Sequence, residues 1–437
     1  MQINSGLCST KTLKEIAGCA ETPFMLLSID ASTAIEISPD AFSRMASVMS
    51  DTGAAIVYSD YLIAEEDGIL TTQQCTDYLI GSVRDDFNFG PAALVNTAFL
   101  SKAVEKMEED YKHAAWYDAR LRLSELGPII HIPETLYKAS SRLTDESSEE
   151  IHFSYVDPRN AAVQEEMEQA FTSWLRRTGA WMPQPDGQAD FGGEYPVEAS
   201  VIIPVRDRVD TIGDAIFSAL EQTPGFDFNV IVVDNHSTDG TTEVIRRLSD
   251  DPQLIHIIPE ETTLGIGGCW NRAISDPRCG RFAVQLDSDD IYSSPETIGA
   301  IVDCFRRERC AMVVGTYRLT DFNLNPIPPG IIDHKEWTDA NGHNNLLRVN
   351  GIGAPRAFAT EIARRLRFPD VSYGEDYAMA LRISRSHRIG RIFDVLYLCR
   401  RWNGNSDARP TQEKINRFNT YKDTLRSWEI TARRKKA

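Results

Sequence analysis

The stretch Phe282-Ala-Val-Gln-Leu-Asp-Ser-Asp-Asp290 decides how the fold of the chain is interpreted. It is a short apolar run that ends abruptly in three carboxylates, Asp287, Asp289 and Asp290. Such a run is typical of a buried strand, and in an open α/β sheet ligands bind outside the carboxyl ends of the strands. Crowded carboxylates repel one another unless they share a cation. The stretch therefore predicts a site for Mg²⁺ or Mn²⁺, which usually also hold substrate phosphates.

The same residues also have a purely structural interpretation. Ser293 and Ser294 precede Pro295 and Glu296, an order that is typical of the beginning of a helix. On this interpretation the carboxylates form an acidic turn that caps the next helix. The stretch alone does not decide between the two.

The composition restricts the function classes. The chain has 437 residues, which favours two or three domains, and a formal net charge of −18, which argues against a nucleic-acid binder. No apolar run approaches the ~18 residues of a transmembrane helix, and the N-terminus lacks the layout of a signal peptide. A cytoplasmic protein is therefore expected. The basic tail Arg433–Lys436 could contact anionic lipid, or it is simply a solvated end.

The eight cysteines are scattered without a CxxC pair. Cys304 and Cys310 flank a helical pattern but lack the usual spacing of metal ligands. Reduced thiols in a cytosolic protein are the simplest interpretation.

Strand-like and helical patterns alternate along the chain, which predicts an α/β fold with a mostly parallel sheet and helices on both faces. Residues 323–330 are rich in proline and are expected to form a loop, and 331–357 form a longer one of the kind that often acts as a lid. The predicted segments are an α/β half-domain (1–150), a helix and linker (151–196), a second module (197–410), and a C-terminal helix with its basic tail (411–437).

The first module resembles the back half of the second. Four blocks keep their order and approximate spacing: Phe24–Asp30 with Phe282–Asp287, Gly53–Tyr58 with Cys310–Gly315, Ala115–Leu123 with Glu375–Ile383, and Ile129–Leu136 with Gly390–Leu396. The acidic residues are not kept, because only Asp30 remains of the acidic stretch and Trp116 stands where Asp376 stands. The first module is therefore interpreted as a degenerate half-copy that cannot catalyse. Coincidence between two α/β segments is the alternative.

Residues 197–407 resemble a family 2 glycosyltransferase with the GT-A fold. Four motifs carry this resemblance in the family's order: Val201–Asp207 for the first strand and nucleotide-binding turn, Val232–Thr241 for the second-strand motif, Leu286–Asp290 for the DxD motif, and Gly374–Asp376 for the ED motif. A Rossmann dehydrogenase is disfavoured because no GxGxxG follows the first strand. Two departures stand out. Asn235 and His236 replace the usual acidic-glycine pair, and Trp402 lies near the place of a histidine that often helps to hold metal.

The resemblance implies inverting, metal-dependent transfer from a nucleotide-diphosphate sugar, with a UDP-sugar favoured, to a hydroxyl of a glycan or glycoconjugate. It implies Asp376 as the base, with Glu375 raising its pKa as a neighbouring negative charge. It implies Asp289 as a ligand of Mn²⁺ or Mg²⁺, with Asp287 contacting the metal or the ribose.

The donor would be bound by residues from the first three motifs, by Gly265 and by one of the two late arginines. Asp234 is expected to accept from the uracil N–H, and Arg401 to contact the diphosphate beside Arg400. For Asp207 a structural role, as a helix cap or in an ion pair with a neighbouring arginine, is an equally open interpretation. For Arg400 and Arg401 the alternative interpretation is a surface cluster. The full predicted set is Pro204, Arg206, Asp207, Asp234, Gly265, Asp287, Ser288 and Arg401.

Two other functions are weighed. A nucleotidyltransferase would need a glycine-rich basic loop after the first strand, and Arg206-Asp-Arg208 has no glycine. A non-catalytic scaffold or nucleotide-sugar-binding protein is suggested by the degenerate first module, but the acidic set Asp287, Asp289 and Asp376 argues against it. The sequence also leaves room for a homo-oligomer.

Overall fold

The computed structural model describes residues 7–29, 33–64, 69–141, 161–402 and 411–435. The chain divides into two compact units. Unit 1 comprises Met1–Trp181, Leu347–Val349 and Arg409–Ala437, and unit 2 comprises Met182–Leu346 and Asn350–Ala408. The predicted four-segment division stays a prediction, because compactness alone does not define a catalytic domain. Among the described residues, no helix has both the length and the apolar character needed to cross a bilayer.

Unit 1 is an α/β unit with one six-stranded sheet of order β1-β5-β3-β6-β2, in which β4 pairs with β3. Only the β3–β6 pairing is parallel among those described. Its elements are α1 (Thr10–Gly18), β1 (Phe24–Ser28), β2 (Thr33–Ile37), α2 (Pro39–Thr52), β3 (Ile56–Ala64), β4 (Leu70–Gln73), β5 (Ala92–Asn96), α3 (Thr97–Glu105), α4 (Ala115–Leu126), β6 (Ile129–Ser141), α5 (Ala161–Arg177) and the C-terminal α13 (Gln412–Arg434).

Helix α2 shows how local sequence and core packing agree in this unit. Pro39 stands in its first turn, where a missing N–H costs nothing, and Gly53 ends it with a φ of 65°. Met45 and Met49 face inward and are buried against Val57 of β3. Helix α1 was not predicted, since it lies before Phe24, where the first predicted element begins.

Unit 2 holds a nine-stranded sheet of order β11-β15-β12-β14-β10-β7-β8-β9, in which β13 pairs with β12. Its elements are β7 (Ala199–Val205), α6 (Ile212–Leu220), β8 (Phe228–Asp234), α7 (Thr241–Leu248), β9 (Leu254–Ile257), α8 (Ile266–Ser275), β10 (Phe282–Gln285), β11 (Ile291–Tyr292), α9 (Thr297–Glu308), β12 (Met312–Thr320), β13 (Pro326–Ile332), α10 (Gly342–Asn345), β14 (Arg356–Ala359), α11 (Thr360–Leu366), α12 (Glu375–Ser384) and β15 (Ile389–Arg400).

The α/β class is confirmed, but the sheet of unit 2 is mixed where a mostly parallel one was predicted. Strands β9, β8, β7 and β10 run parallel, as do β12 and β15, whereas β14 is antiparallel to both of its neighbours. Parallel neighbours need a long crossover, usually a helix. Strand β14 instead follows an irregular segment whose only described helix, α10, has four residues, so it can enter the sheet in the reverse direction.

The predicted loop 323–330 is also wrong in part. Pro326–Ile332 forms β13, which pairs antiparallel with β12. Among the described strands it has this one neighbour, so its prolines sit on an edge, where a missing N–H costs no second ladder.

The two units share one strand arrangement. The order β1-β5-β3-β6-β2 with β4 on β3 repeats as β10-β14-β12-β15-β11 with β13 on β12, and the parallel and antiparallel pairings agree strand by strand. The register agrees when Gly53, which ends α2, is matched with Arg309, which ends α9, because Val57 then pairs with Ile130 as Val313 pairs with Gly390. This match differs by one residue from the predicted blocks, which set Gly53 beside Cys310 and Ile129 beside Gly390. The predicted half-copy stays a prediction, because topology alone does not establish duplication, and Asp30 lies outside the described residues.

Candidate active site

The acidic loop, residues 287–290, follows β10 at the carboxyl edge of the parallel strands. Phe282 at the start of β10 stacks on Phe305 of α9 with ring centroids 4.4 Å apart, which fixes the strand. The backbone N–H of Asp287 donates to Tyr397 Oη at 3.0 Å, and Gln285 Nε2 donates to Asp287 Oδ1 at 2.8 Å. Burial raises the pKa of Asp287 above its ordinary value. The sequence therefore placed Asp287 correctly at a strand end.

Asp290 connects the acidic loop to the end of β15. It is buried and accepts the backbone N–H of Arg400 at 2.8 Å. Burial, together with the carboxylates of Asp289 and Asp287, raises the pKa of Asp290 well above its ordinary value. The side chain ties the acidic loop to the end of β15 and acts as a structural residue.

Asp289 is held by groups from two directions. Trp402 Nε1 donates to Asp289 Oδ2 at 3.2 Å, and Arg208 Nε lies 3.9 Å from the same oxygen. The Arg208 guanidinium also lies 6.0 Å from the centroid of the Trp402 ring. The residue that replaces the expected histidine thus contacts the predicted metal ligand itself.

Arg400 does not belong to a surface cluster, and its predicted contact with the diphosphate stays a prediction. It is buried, its Nε donates to the carbonyl of Asp289 at 2.6 Å, and its Nη1 lies 2.7 Å from Asp214. The guanidinium is therefore used within the protein. Arg401, the predicted diphosphate ligand, follows it and donates its backbone N–H to Thr320 at 2.8 Å.

The acidic loop fits a hard divalent cation whose ligand set is completed by the substrate. Among the described residues, the loop does not bring three carboxylate oxygens within 4.8 Å of one another. Mg²⁺ and Mn²⁺ do not require this, because one or two carboxylates with substrate phosphates are a usual ligand set. Two neighbouring carboxylates, of which Asp287 has a raised pKa, would gain from a cation.

Asp376, the predicted base, lies in the first turn of α12 directly after Gly374, which has a φ of 77°. Its Oδ2 lies 2.7 Å from Nη1 of Arg356. The backbone N–H of Arg356 donates to Gln285 Oε1 at 3.0 Å, and the amide of that glutamine also bonds Asp287. The base candidate and the acidic loop are thus joined through one arginine and one glutamine.

The electrostatics of Arg356 agree with this geometry. Burial works against its charge, but the carboxylates of Asp376 and Asp287 raise its pKa above the ordinary value. Sequence reasoning missed this residue. A lone arginine after a long irregular segment gives no signal, and only the insertion of β14 beside β10 brings it here.

Glu375 is buried with one carboxylate oxygen, Oε2, that has no hydrogen-bond partner in the described structure. Burial, with a smaller effect of Asp376, raises the pKa of Glu375 to about 8. Glu375 is therefore largely protonated at pH 7. The predicted action of its negative charge on Asp376 stays a prediction, and it requires the ionised form of Glu375.

Asp234 is also placed differently from the prediction. It is fully buried, its Oδ1 accepts the N–H of Ser237 at 3.0 Å, its Oδ2 accepts the Thr242 hydroxyl at 2.5 Å, and His256 Nε2 lies 3.4 Å from Oδ2. Burial opposes its ionisation, but His256, Thr242 and Ser237 outweigh it and lower the pKa of Asp234. Protein groups occupy this carboxylate, so it is not presented to a donor base.

The neighbouring Asn235 has a side-chain oxygen that accepts no hydrogen bond in the described structure. Its Nδ2 donates to the carbonyl of Leu264 at 2.8 Å, while its buried Oδ1 has no hydrogen-bond partner in the described structure. The departure from the family motif marked this position, but the sequence did not show that its oxygen is unpaired.

The turns after β7 and β8 are bonded to each other. Asp207, with a φ of 52°, accepts the N–H of Thr238 at 2.7 Å, and Arg206 lies 3.8 Å from Asp207 Oδ2 with more than half of its side chain exposed. Asp207 thus acts as a bridge between the turns. Pro204 lies in β7, half-buried, just before this turn.

Gly265 and Ser288 have structural contacts that account for their positions. Gly265 donates its N–H to Asp370 at 2.7 Å, and a Cβ there would lie 2.6 Å from the carbonyl carbon of Val371. Ser288 is buried, and its carbonyl accepts the Thr211 hydroxyl at 2.9 Å. Their predicted contacts with the donor stay predictions.

Part of the chain is similar to known proteins. Residues 200–366 match the family described as glycosyl transferase family 2. TuaG of Bacillus subtilis, named as a teichuronic acid biosynthesis glycosyltransferase, is 34% identical over 185 residues, which cover 42% of this chain and 71% of TuaG. WfaP of Escherichia coli, a UDP-Glc:alpha-D-GlcNAc-diphosphoundecaprenol beta-1,3-glucosyltransferase, is 27% identical over 51% of this chain and 85% of its own.

Other similarities are more partial. The chondroitin synthase of Pasteurella multocida is 31% identical over 140 residues, but these are 32% of this chain and 14% of that protein. The solved structure of the mannosyltransferase PcManGT from Pyrobaculum calidifontis, in complex with GDP-Man and Mn²⁺, is 19% identical over 65% of this chain and 83% of its own, with a TM-score of 0.39. A superposition this loose carries no argument about donor or metal.

Proposed function

The chain belongs to glycosyltransferase family 2, and on that premise we propose that it moves a sugar, with inversion, from a nucleotide-diphosphate donor to a hydroxyl of a glycan or glycoconjugate. The relatives named for teichuronic acid and for a diphosphoundecaprenol-linked acceptor favour a role in polysaccharide biosynthesis. One observation carries the proposal. Arg356 lies 2.7 Å from Asp376 and is joined through Gln285 to Asp287, so a base and a leaving-group site lie side by side.

Asp376 is the proposed general base. It takes the proton of the acceptor hydroxyl while that oxygen attacks the anomeric carbon from the side opposite the diphosphate. The new carbon–oxygen bond forms as the bond to the diphosphate oxygen breaks, and the nucleoside diphosphate leaves with the electron pair. Attack from the opposite face gives inversion. Arg356 orients the Asp376 carboxylate for this transfer.

Asp289 and Asp287 are the residues proposed to hold Mg²⁺ or Mn²⁺. A bound divalent ion neutralises the charge that develops on the diphosphate leaving group. The Trp402 indole N–H donates a hydrogen bond to Asp289 and has no lone pair to offer a metal. Its proposed role is therefore to orient the carboxylate, and substrate phosphates and water complete the ligand set.

For the donor base we assign Asn235 in place of Asp234. Its buried Oδ1 is an acceptor without a protein partner in the described structure, and leaving such a group unpaired costs about 1–3 kcal/mol. The ring N–H of uracil would satisfy it once a shift of the turn after β8 exposes this oxygen to the donor. A UDP-sugar accordingly remains the favoured donor.

The first experiment is calorimetric titration of UDP, GDP, TDP and CMP, with and without Mn²⁺, on wild type, Asn235→Ala, Asp289→Ala and Asp303→Asn. Asp303 is exposed on α9 and serves as the matched acidic control. Metal-dependent binding of UDP that is weakened in Asn235→Ala and Asp289→Ala, and kept in Asp303→Asn, supports the proposal. Failure of folded wild-type protein to bind any of the four nucleotides would overturn it.

A further inference from the structure

A second group of potential metal ligands lies outside the candidate active site. Cys304, Glu308 and Cys310 each point one ligand atom into the same space, and these three atoms lie within 4.8 Å of one another. Cys304 and Glu308 stand four residues apart on α9, so they share one helix face. Arg309 then ends the helix with a φ of 51° and turns the chain so that Cys310 faces back toward them.

Gly390 of β15 marks the point where these atoms converge. A Cβ built on it would lie 2.9 Å from Cys304 Sγ, 2.9 Å from Cys310 Sγ and 3.0 Å from Glu308 Oε2. The absence of a side chain at Gly390 thus keeps open a space that both sulfurs and one carboxylate oxygen face. Zinc bonds to sulfur at about 2.3 Å and to carboxylate oxygen at about 2.0–2.2 Å, which separates the ligand atoms of a tetrahedral site by roughly 3.3–3.8 Å. Ligand atoms within 4.8 Å of one another therefore need to approach by about an ångström at most.

The burial and pairing of the three side chains suit a cation. Both cysteines are fully buried. Glu308 Oε1 lies 2.8 Å from Nη2 of Arg307 and accepts a hydrogen bond from the Cys304 thiol at 3.5 Å. The other oxygen, Oε2, faces the convergent space. Glu308 keeps about a fifth of its side chain exposed, which gives an ion a path into the site.

Unit 1 shows that packing does not require these residue types. Its corresponding corner is fixed by the same landmarks: Gly53 ends α2 as Arg309 ends α9, and the pairing of β3 with β6 repeats that of β12 with β15. The positions that match Cys304, Cys310 and Gly390 hold Val48, Ala54 and Ile130, which pack together in an apolar cluster, and Thr52 matches Glu308. Thiols, a carboxylate and a glycine in the same corner of unit 2 therefore call for another explanation.

We propose that Cys304, Glu308 and Cys310 bind one Zn²⁺ ion, with Gly390 leaving the room for it. Two thiolates and a carboxylate are a typical ligand set for this borderline-soft ion, and a water would complete the tetrahedron. Binding replaces the thiol protons, which pass to solvent. The ion ties the end of α9 to Cys310, just before β12, and it is separate from the Mg²⁺ or Mn²⁺ of the candidate active site.

The test is zinc content by plasma mass spectrometry after loading the full chain with ZnSO₄ under reducing conditions and desalting. We expect one zinc per wild-type chain and none in the double variant Cys304→Val with Cys310→Ala, which copies the apolar corner of unit 1 and should fold. Gly390→Ala should also lose the ion, because its Cβ would occupy the space. Cys279→Ser, at a buried cysteine elsewhere in unit 2, and Asp289→Ala should each retain it.

Zinc that persists in the double variant, or is lost in Asp289→Ala, would overturn the proposal by placing the ion elsewhere. So would wild-type protein that holds no zinc after loading. Intact mass on unreduced protein adds a separate check: a loss of two hydrogens that the double variant removes would assign the cysteines to a disulfide and would also contradict the zinc site. Neither result bears on sugar transfer, so this inference can fail while the proposed function stands.

Discussion

Arg356 Nη1 lies 2.7 Å from Oδ2 of Asp376, and the same Nη1 donates to the carbonyl of Gly353 at 3.1 Å. The guanidinium is thus held by backbone on one side and fixes the proposed base on the other. The pair is partly exposed, with about a fifth of each side chain accessible, so it lies where a substrate can reach it. This relationship is the basis of the first prediction.

Removing Arg356 should slow transfer more than it weakens donor binding. In Arg356→Ala the Asp376 carboxylate loses its orienting partner, and misplacement of a reacting group by about 1 Å can cost about 10²-fold in rate. Arg356→Lys should recover part of the rate, since it keeps the charge without the fixed fork. Initial rates and calorimetric donor affinities, measured on the same preparations, check this. Equal losses in rate and donor affinity would instead place Arg356 in the donor site.

Trp402 should control the metal affinity of Asp289. Trp402→Phe removes the N–H that contacts Asp289 Oδ2, whereas Trp402→His supplies a nitrogen ligand in the same region. We expect Trp402→His to bind Mn²⁺ more tightly than wild type, and Trp402→Phe to show a smaller change in Mn²⁺ affinity. Electron paramagnetic resonance titration measures both. Trp428→Phe, at an exposed tryptophan of unit 1, is the matched control. Identical Mn²⁺ affinities in all four proteins would show that Trp402 does not act on the metal site.

Glu375 should make unfolding pH-dependent. Its pKa in the folded protein is raised to about 8 by burial, so between its ordinary value near 4.5 and pH 8 the folded state binds more protons than the unfolded state. Its contribution is therefore fully present below about pH 4.5 and is lost as pH rises through 8, by at most about 1.4 kcal/mol per pH unit. Glu375→Gln should flatten this decline in denaturant unfolding curves.

The same variant separates two roles of Glu375. If Glu375 acts in its neutral form, Glu375→Gln should keep most of the transfer rate at pH 7, while Glu375→Ala should lose it by disturbing the start of α12. A large loss of rate in Glu375→Gln at pH 7 would return Glu375 to the charged role that the sequence predicted.

Arg400 should matter for stability through the acidic loop. Arg400→Ala leaves the Asp289 carbonyl without its 2.6 Å donor and Asp214 without its 2.7 Å partner. Because an unsatisfied buried polar group costs about 1–3 kcal/mol, we expect unfolding free energy to fall by roughly that amount. Arg388→Ala, at a more exposed arginine of unit 2, should change it by less than about 1 kcal/mol. Equal effects in urea unfolding would contradict the supporting role of Arg400.

The sequence was most informative where residues close in the chain act together. Asp287 and Asp289 directly follow an apolar run, and Glu375 and Asp376 form a short motif of the family that the chain resembles, so local sequence was enough to find them. Arg356 could not be found in this way. Its contact with Asp376 depends on β14 entering the sheet antiparallel between β10 and β12, and periodicity does not reveal such a long-range pairing.

Asp234 shows a different limit. A carboxylate at a strand end looks the same in sequence whether it faces a ligand or turns back onto the protein, and here it bonds Ser237 and Thr242. Cys304 and Cys310 show a third. Their spacing matches no common metal motif, and only the left-handed turn at Arg309 brings the two sulfurs to one point.

Asp376→Asn, measured under single-turnover conditions, is the sharpest test of Asp376 as the base of an inverting transfer. Donor binding is measured on the same protein, and Asp303→Asn serves as control. We expect Asp376→Asn to transfer the sugar about 10²–10⁴-fold more slowly than wild type, with its donor affinity unchanged. We also expect the wild-type product, analysed by NMR, to have the anomeric configuration opposite to that of the donor. Transfer by Asp376→Asn at the wild-type rate, or a product of retained configuration, would contradict this assignment.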